Sequence, residues 1–303
     1  MSQLLIALPA VTFLQATLMG LLQGASELFP VSSLGHAVLF PALVGWDRLA
    51  AAQAKPESFF LAFLVGLHVA TAIALLVYFR QDWAKIIRGF FRSLGRRAID
   101  TPEERLAWLL VVATIPAGIV GLALEHKLRV VFAKPLAAAA FLMVNGVILF
   151  VGERYRRRAE VRAVAARHGT YEDRSSRRLE TLEFREAGII GVAQVLALFA
   201  GISRSGITMV AGLARGLDHE DAARFSFLLA TPIILAAGLY KIPDLFGPLG
   251  DGIRGQVLVG SIAAGVMAYL TVRFLMRYFE TRTLTPFAIY CILFGAAMVV
   301  KFA

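Results

Sequence analysis

Long apolar stretches separated by short basic ones dominate this chain. Phe59 to Phe79, Leu106 to Leu124, Pro135 to Val151, Phe225 to Ile242, Gln256 to Met276 and Pro286 to Ala303 each approach or exceed the roughly 20 residues that cross a bilayer as a helix. Six full transmembrane spans are expected. Two further apolar runs, 1–45 and 187–217, are interrupted at their middle by polar, glycine-containing stretches. Irregular backbone at membrane depth is tolerated only where protein or a watery cavity surrounds it, so both runs read as re-entrant helix-loop-helix hairpins lining a site, the alternative being a kinked full span.

Composition agrees with lipid as the solvent: 58% of the residues are hydrophobic and only 17% charged. The net charge of +10 could point to nucleic acid, but no RNA-binding aromatic or glycine-rich pattern accompanies it and the charges lie between the spans. It is read as membrane topology, with no nucleic-acid partner. The segments 80–105, 152–186, 215–224 and 273–283 hold 22 of the 31 Lys and Arg, while 46–58, 125–134, 241–255 and Lys301 hold 8. The first set is expected in the cytoplasm, which puts both termini and the loop after Gly45 outside. The apolar N-terminus lacks a basic leader region and runs straight into a polar motif, so it reads as mature protein. The single cysteine, Cys291, reads as a small hydrophobe that allows no internal disulfide.

The two interrupted runs resemble each other. Gly20, Gln23, Ser32 and Gly35 match Gly191, Gln194, Ser203 and Gly206 at a constant spacing of 171 residues. Because the hairpins enter from opposite sides, the expected fold is an all-α polytopic membrane protein with two inverted halves. The first is 1–151 with hairpin 1–45, the second 187–303 with hairpin 187–217, and a basic cytoplasmic linker, 152–186, joins them. That linker offers basic charge to anionic lipid and carries a helix around Glu160 to Arg167.

Chemistry concentrates at the two tips. In the first, Gln23 and Glu27 share a helix face and suit a hard cation such as Mg2+ or Ca2+. Pro30 is expected to end the first half-helix, with Ser32 or Ser33 capping the next and exposing N–H groups to phosphate. Ser33 and His36 are three apart, within reach for His36 to serve as general base toward a hydroxyl or water; the alternative is packing and capping. In the second tip, Arg204 lies among Gly201, Ser203, Ser205, Gly206 and Thr208. An arginine inside a bilayer needs an anionic partner, either a phosphate or, as a structural ion pair, Glu27. His68 lies beside Thr71 in a span and reads either as a site residue or as packing. His126 and His219-Glu220-Asp221 read as solvated helix-end charges. No Walker-type, HExxH or Cys/His zinc pattern occurs, which removes support for ATP-driven and zinc mechanisms.

These motifs resemble those of the bacterial undecaprenyl-diphosphatases, the bacitracin-resistance family. Gln23-Gly-Ala-Ser-Glu27 looks like the family's [E/Q]xxxE element, Pro30-Val-Ser-Ser-Leu-Gly-His36 like its PVSSxGH run, and Gly201-Ile-Ser-Arg-Ser-Gly206 with Thr208 like its PGxSRSxxT motif. The resemblance implies hydrolysis of a polyprenyl diphosphate lipid in the bacterial inner membrane, at a site open to the outer side, with a divalent cation and often as a homodimer. It assigns Glu27, Ser33, His36 and Arg204 to catalysis and Ser32, Gly201, Ser203, Ser205, Gly206 and Thr208 to the diphosphate. Glu27 and Gln23 would hold the metal. The chain departs from the pattern in Gln23, where many members carry Glu, in Ala200, where the second motif usually begins with Pro, and in its long basic linker. A transporter of phosphorylated lipid and a non-catalytic lipid-binding resistance protein are the competing classes. Neither needs a nucleophile.

Overall fold

The computed structural model describes residues 10–53, 58–132, 134–166 and 179–303, and among them the structure is helical with no strand. Among the described residues six helices are long and apolar enough to cross a membrane. They are α4 (Phe59–Tyr78), α6 (Pro102–Phe132), α7 (Pro135–Ala166), α10 (His219–Phe246), α11 (Arg254–Phe279) and α12 (Thr285–Phe302). The helices α6 and α7 outrun the apolar stretches that announced them. Most of the segment 125–134 is therefore helix rather than loop, and the linker begins as a continuation of α7 to Ala166. Residues 1–9 and the middle of the linker, 167–178, lie outside the described residues.

The two interrupted runs form short helices: α1 (Phe13–Ser26) and α2 (Ser33–Leu43) in the first, α8 (Phe184–Gln194) and α9 (Arg204–Ala214) in the second. None reaches the roughly 20 residues of a span. Local chemistry sets their ends. A capping box, Thr12 with Gln15, starts α1; Ser32 and Ser203 cap α2 and α9. The first half-helix stops at Ser26, four residues before Pro30, and the intervening residues form a turn. Two elements were not announced by the pattern: α3 (Asp47–Gln53) and a basic helix, α5 (Arg80–Arg96).

Faces of the long helices sort by surroundings. On α11, Leu258, Ile262, Val266, Leu270 and Phe274 are exposed at four-residue spacing, while Gly260, Ala264 and Ala268 face inward. The outward stripe is a lipid-facing one; the inward one is narrow because α1 presses against it. A Cβ on Gly20 would lie 2.2 Å from Gly260 O, and one on Gly24 2.3 Å from Ala264 O. Close backbone approach through small residues is how helices associate where no hydrophobic force distinguishes side chain from lipid. The second half repeats the device: a Cβ on Gly191 of α8 would lie 2.4 Å from Ala113 O of α6.

Candidate active site

Glu27 caps the C-terminal end of α1 and is buried. Its Oε1 accepts from Arg204 Nη2 at 2.9 Å, and its Oε2 accepts from Gln23 Nε2 at 3.0 Å and from the Ser33 hydroxyl at 2.5 Å. His68 Nε2 of α4 stands 3.5 Å from the same oxygen. A carboxylate so surrounded has its negative charge satisfied by a cation and by strong, charge-assisted donors. Four of these residues come from three different elements, α1, α4 and α9, with Ser33 opening α2.

The two tips meet through Ser32. Its φ of 68° lies in the left-handed region, which costs a non-glycine residue energy and clusters at functional sites. Its hydroxyl accepts both from Gly35 N–H, capping α2, and from Gly201 N–H of the opposite tip, each at 3.2 Å. Gly201 itself has φ 111°, and a Cβ there would lie 2.5 Å from Ala138 O of α7. Glycine is required twice over, by conformation and by space.

Asn145 of α7, fully buried, completes the junction. Its Nδ2 donates to Pro30 O in the first tip at 3.0 Å, and its Oδ1 accepts from Ser203 N–H in the second at 2.9 Å. One amide therefore holds the starts of α2 and α9 against each other. Its signal in the sequence is modest: an amide inside an otherwise apolar span.

A cavity of about 370 Å³ opens at this junction, lined at its polar end by Glu27, Ser32, Ser33, His68, Ser203 and Arg204 and beyond them mainly by apolar side chains of α4 and α10. Gln194, 171 residues after Gln23, lines it too, with neither amide atom hydrogen-bonded among the described residues. The N-termini of α2 and α9 both start here, and the first N–H groups of a helix are an anion site.

Other named residues sit behind this surface. Ser205 Oγ donates to Phe29 O at 3.2 Å, and Thr208 Oγ1 donates to Arg204 O at 2.8 Å and pairs with Ser226 Oγ at 2.7 Å. Ser203 Oγ caps Gly206 N–H at 3.1 Å. A Cβ on Gly206 would come within 3.3 Å of the Pro30 side chain, so this glycine lets the tips close. His36 is not brought to Ser33. Its Nδ1 donates to Ser32 O at 2.8 Å, its Nε2 accepts from Tyr290 OH at 2.7 Å, and its ring stacks with Tyr290 and Phe294 of α12. The imidazole at the carboxylate is that of His68. His219 is no solvated charge either: it is buried against Glu153, with Nε2 donating to Oε2 at 2.7 Å, and contacts Arg156. The His126 side chain lies outside what the structure describes.

Among the described residues no group of three or more His, Cys, Asp or Glu is gathered that could cage a metal. Glu27 beside Gln23 offers one carboxylate and one amide oxygen, donors of the hard type that Mg2+ and Ca2+ take.

Six long apolar helices define a multi-pass integral membrane protein, with a buried carboxylate and a partly buried guanidinium and hydroxyl gathered where the N-termini of α2 and α9 converge. The chain belongs to the family described as Bacitracin resistance protein BacA, whose model matches residues 16–297. It is 61% identical over 303 residues to undecaprenyl-diphosphatase of Mycolicibacterium paratuberculosis, covering 96% of this chain and 98% of that one. Undecaprenyl-diphosphatase 2 of Frankia alni is 58% identical with the same coverage, and that of Chromobacterium violaceum is 45% identical over 93% of this chain and 96% of its own.

Proposed function

We propose that this protein hydrolyses undecaprenyl diphosphate to undecaprenyl phosphate and inorganic phosphate, recycling the lipid carrier of cell-wall synthesis and thereby conferring resistance to bacitracin. Family membership and the names of its relatives support the reaction. The observation that carries the chemistry is the 2.5 Å contact between the Ser33 hydroxyl and Glu27 at the polar end of a largely apolar cavity. A hydroxyl on a carboxylate is a nucleophile on its base.

In this reading the diphosphate enters the cavity and draws Arg204 from Glu27 onto the terminal phosphoryl oxygens, where its forked donors match phosphate. Glu27 then takes the proton of Ser33. The serine oxygen bonds to the terminal phosphorus as the bond to the bridging oxygen breaks, and undecaprenyl phosphate leaves. Water then bonds to the phosphorus as the bond to the serine oxygen breaks, Glu27 returns its proton to that oxygen, and inorganic phosphate carries away the water's oxygen and protons. N–H groups of α2 and α9 stabilise the charge on the equatorial oxygens of the phosphorus during the in-line attack. A divalent cation, Mg2+ or Ca2+, would be held by Glu27 and Gln23 and supply further positive charge there. His68 positions Glu27.

The fold we read as two re-entrant hairpins in an inverted repeat. The reciprocal packing of α1 on α11 and of α8 on α6, each through glycine, supports it, as does the 171-residue spacing of the tip motifs. The cavity reaches Ser58 and Lys241, in segments that the basic-residue count places outside, which supports a site open to the outer face of a bacterial plasma membrane with both termini outside. A homodimer is the assembly suggested by the family.

Phosphate release from a C55 isoprenyl diphosphate by detergent-purified protein, with Mg2+ or Ca2+ and with chelator, tests the function. Cation-dependent release, lost in Arg204→Ala, is expected. Tight lipid binding without release would favour transport, for which paired inverted half-helices are also suited.

A further inference from the structure

The helix α5, Arg80–Arg96, takes no part in the site, and its surface divides into three stripes. Ile86, Gly89 and Ser93 form the first and are buried against the start of α6. There the Trp108 indole donates to Ser93 Oγ at 2.9 Å, Phe90 meets the Trp108 ring at 5.1 Å, and Gly89 lies against the backbone of Glu104. Ile87, Phe91 and Leu94 form the second, with spacings of four and three residues, and are 49%, 66% and 46% exposed. Lys85, Arg88 and Arg92 form the third and are exposed as well. At about 100° per residue the three stripes share the circumference roughly in thirds.

Such a helix has two solvents as well as a protein neighbour. Its place in the chain names them. Phe79 is at once the C-cap of membrane-spanning α4 and the N-cap of α5, and α6, the next span, begins at Pro102. The helix is therefore held at the height where two spans end. Arg224 of α10 reaches Asp82 at 2.5 Å and ties its first turn to the start of a third span. An apolar stripe at that height meets the acyl boundary, and a basic stripe a third of a turn away meets headgroups.

We propose that α5 lies in the plane of the bilayer surface, with Ile87, Phe91 and Leu94 in the acyl boundary and Lys85, Arg88 and Arg92 bound to anionic lipid headgroups. It is the surface on which the protein rides in its leaflet. Bound headgroups screen the basic stripe and draw the apolar one inward, so depth depends on lipid charge.

Single spin labels on the full chain in bilayers test this. Cys291 is fully buried and stays in place as background, verified by the absence of label on the unsubstituted protein. Labels at Phe91→Cys and Ile87→Cys are expected to collide with oxygen and escape an aqueous nickel chelate, and the label at Arg88→Cys to do the reverse. The Phe91 label is expected to sit deeper in vesicles of phosphatidylcholine with phosphatidylglycerol than in phosphatidylcholine alone. Equal aqueous access at Phe91 and Arg88 would overturn the placement. Shielding of Phe91 and Ile87 from both reagents would assign the stripe to a protein partner or a second copy instead. Identical depth in both vesicles would remove the anionic headgroups.

Discussion

Glu27 and Arg204, separated by 177 residues in the chain, meet at 2.9 Å in the protein interior. Each resolves the other's problem, since a buried charge left without its partner costs about 3–5 kcal/mol. In the reaction proposed above, a diphosphate would offer Arg204 more charge than one carboxylate does, and its arrival would free Glu27 to act on Ser33.

Arg204→Ala and Glu27→Gln are expected to lower the turnover of phosphate release by about 10²-fold or more, the scale of a lost general base or charge stabiliser. Glu27→Gln keeps the shape and a neutral contact with Arg204, so its melting temperature should change less than that of Glu27→Ala. Release at the unsubstituted rate in either residue's variant would sink the site assignment.

Both nitrogens of His36 are committed, to Ser32 O and to Tyr290 OH. His36→Ala should therefore lose activity and thermal stability together, by about 0.5–1.5 kcal/mol for each of the two side-chain hydrogen bonds removed, Ser32 O keeping its bond from the backbone N–H of residue 36. Tyr290→Phe should reproduce part of the loss. A fall in turnover at unchanged melting temperature, with no effect of Tyr290→Phe, would instead return His36 to proton transfer.

Asn145 joins Pro30 O to Ser203 N–H. Asn145→Leu should separate the tips and lower turnover by about 10-fold or more, since each lost buried hydrogen bond is worth about 1–3 kcal/mol. Asn145→Asp keeps the acceptor for Ser203 and should retain more activity. Turnover and KM measured for both variants check this; equal loss in the two would mean that the bridge does not act through Ser203.

Gln23 donates to Glu27 where a second carboxylate would repel it. Gln23→Glu should lower the Mg2+ or Ca2+ concentration that gives half-maximal phosphate release, because two adjacent carboxylates bind a cation more tightly than one with an amide. An unchanged cation requirement in a titration after chelator treatment would exclude Gln23 as a ligand.

At Gly201, φ 111° and the 2.5 Å approach to Ala138 O leave no room for a side chain. Gly201→Ala should cost at least about 1–3 kcal/mol in strain alone, read as a lower melting temperature in detergent with phosphate release reduced alongside. Unchanged melting would show that α7 yields at this point.

Much of this protein was legible in the order of its residues. Spans are an area effect: some twenty apolar side chains in succession must be solvated by lipid wherever the rest of the chain goes. The polar tips were legible for the same reason inverted, since Glu27 and Arg204 are too costly in lipid to lack a use or a partner. A capping serine at 32 or 33 and the departures at Gln23 and Ala200 could likewise be read in place, the structure giving the cap to Ser32. The three stripes of α5 were in the sequence too, but a short basic segment between two spans reads as a loop until its buried stripe finds Trp108.

What the sequence could not decide is which polar groups touch. Helical periodicity put Ser33 and His36 within reach of each other, yet the first turn of α2 begins from Ser32 at φ 68°, and His36 turns back to that residue's carbonyl and out to α12. Ser33 instead meets Glu27 across the turn, His68 arrives from α4, and Asn145 from α7 pins both tips. The chain by itself determined the spans, the broken helices and the chemical groups available, because those follow from the solvation of each residue. Only the tertiary structure decided the partners, because a hydrogen bond between elements depends on a few tenths of an ångström set by how glycine-lined helices close on one another.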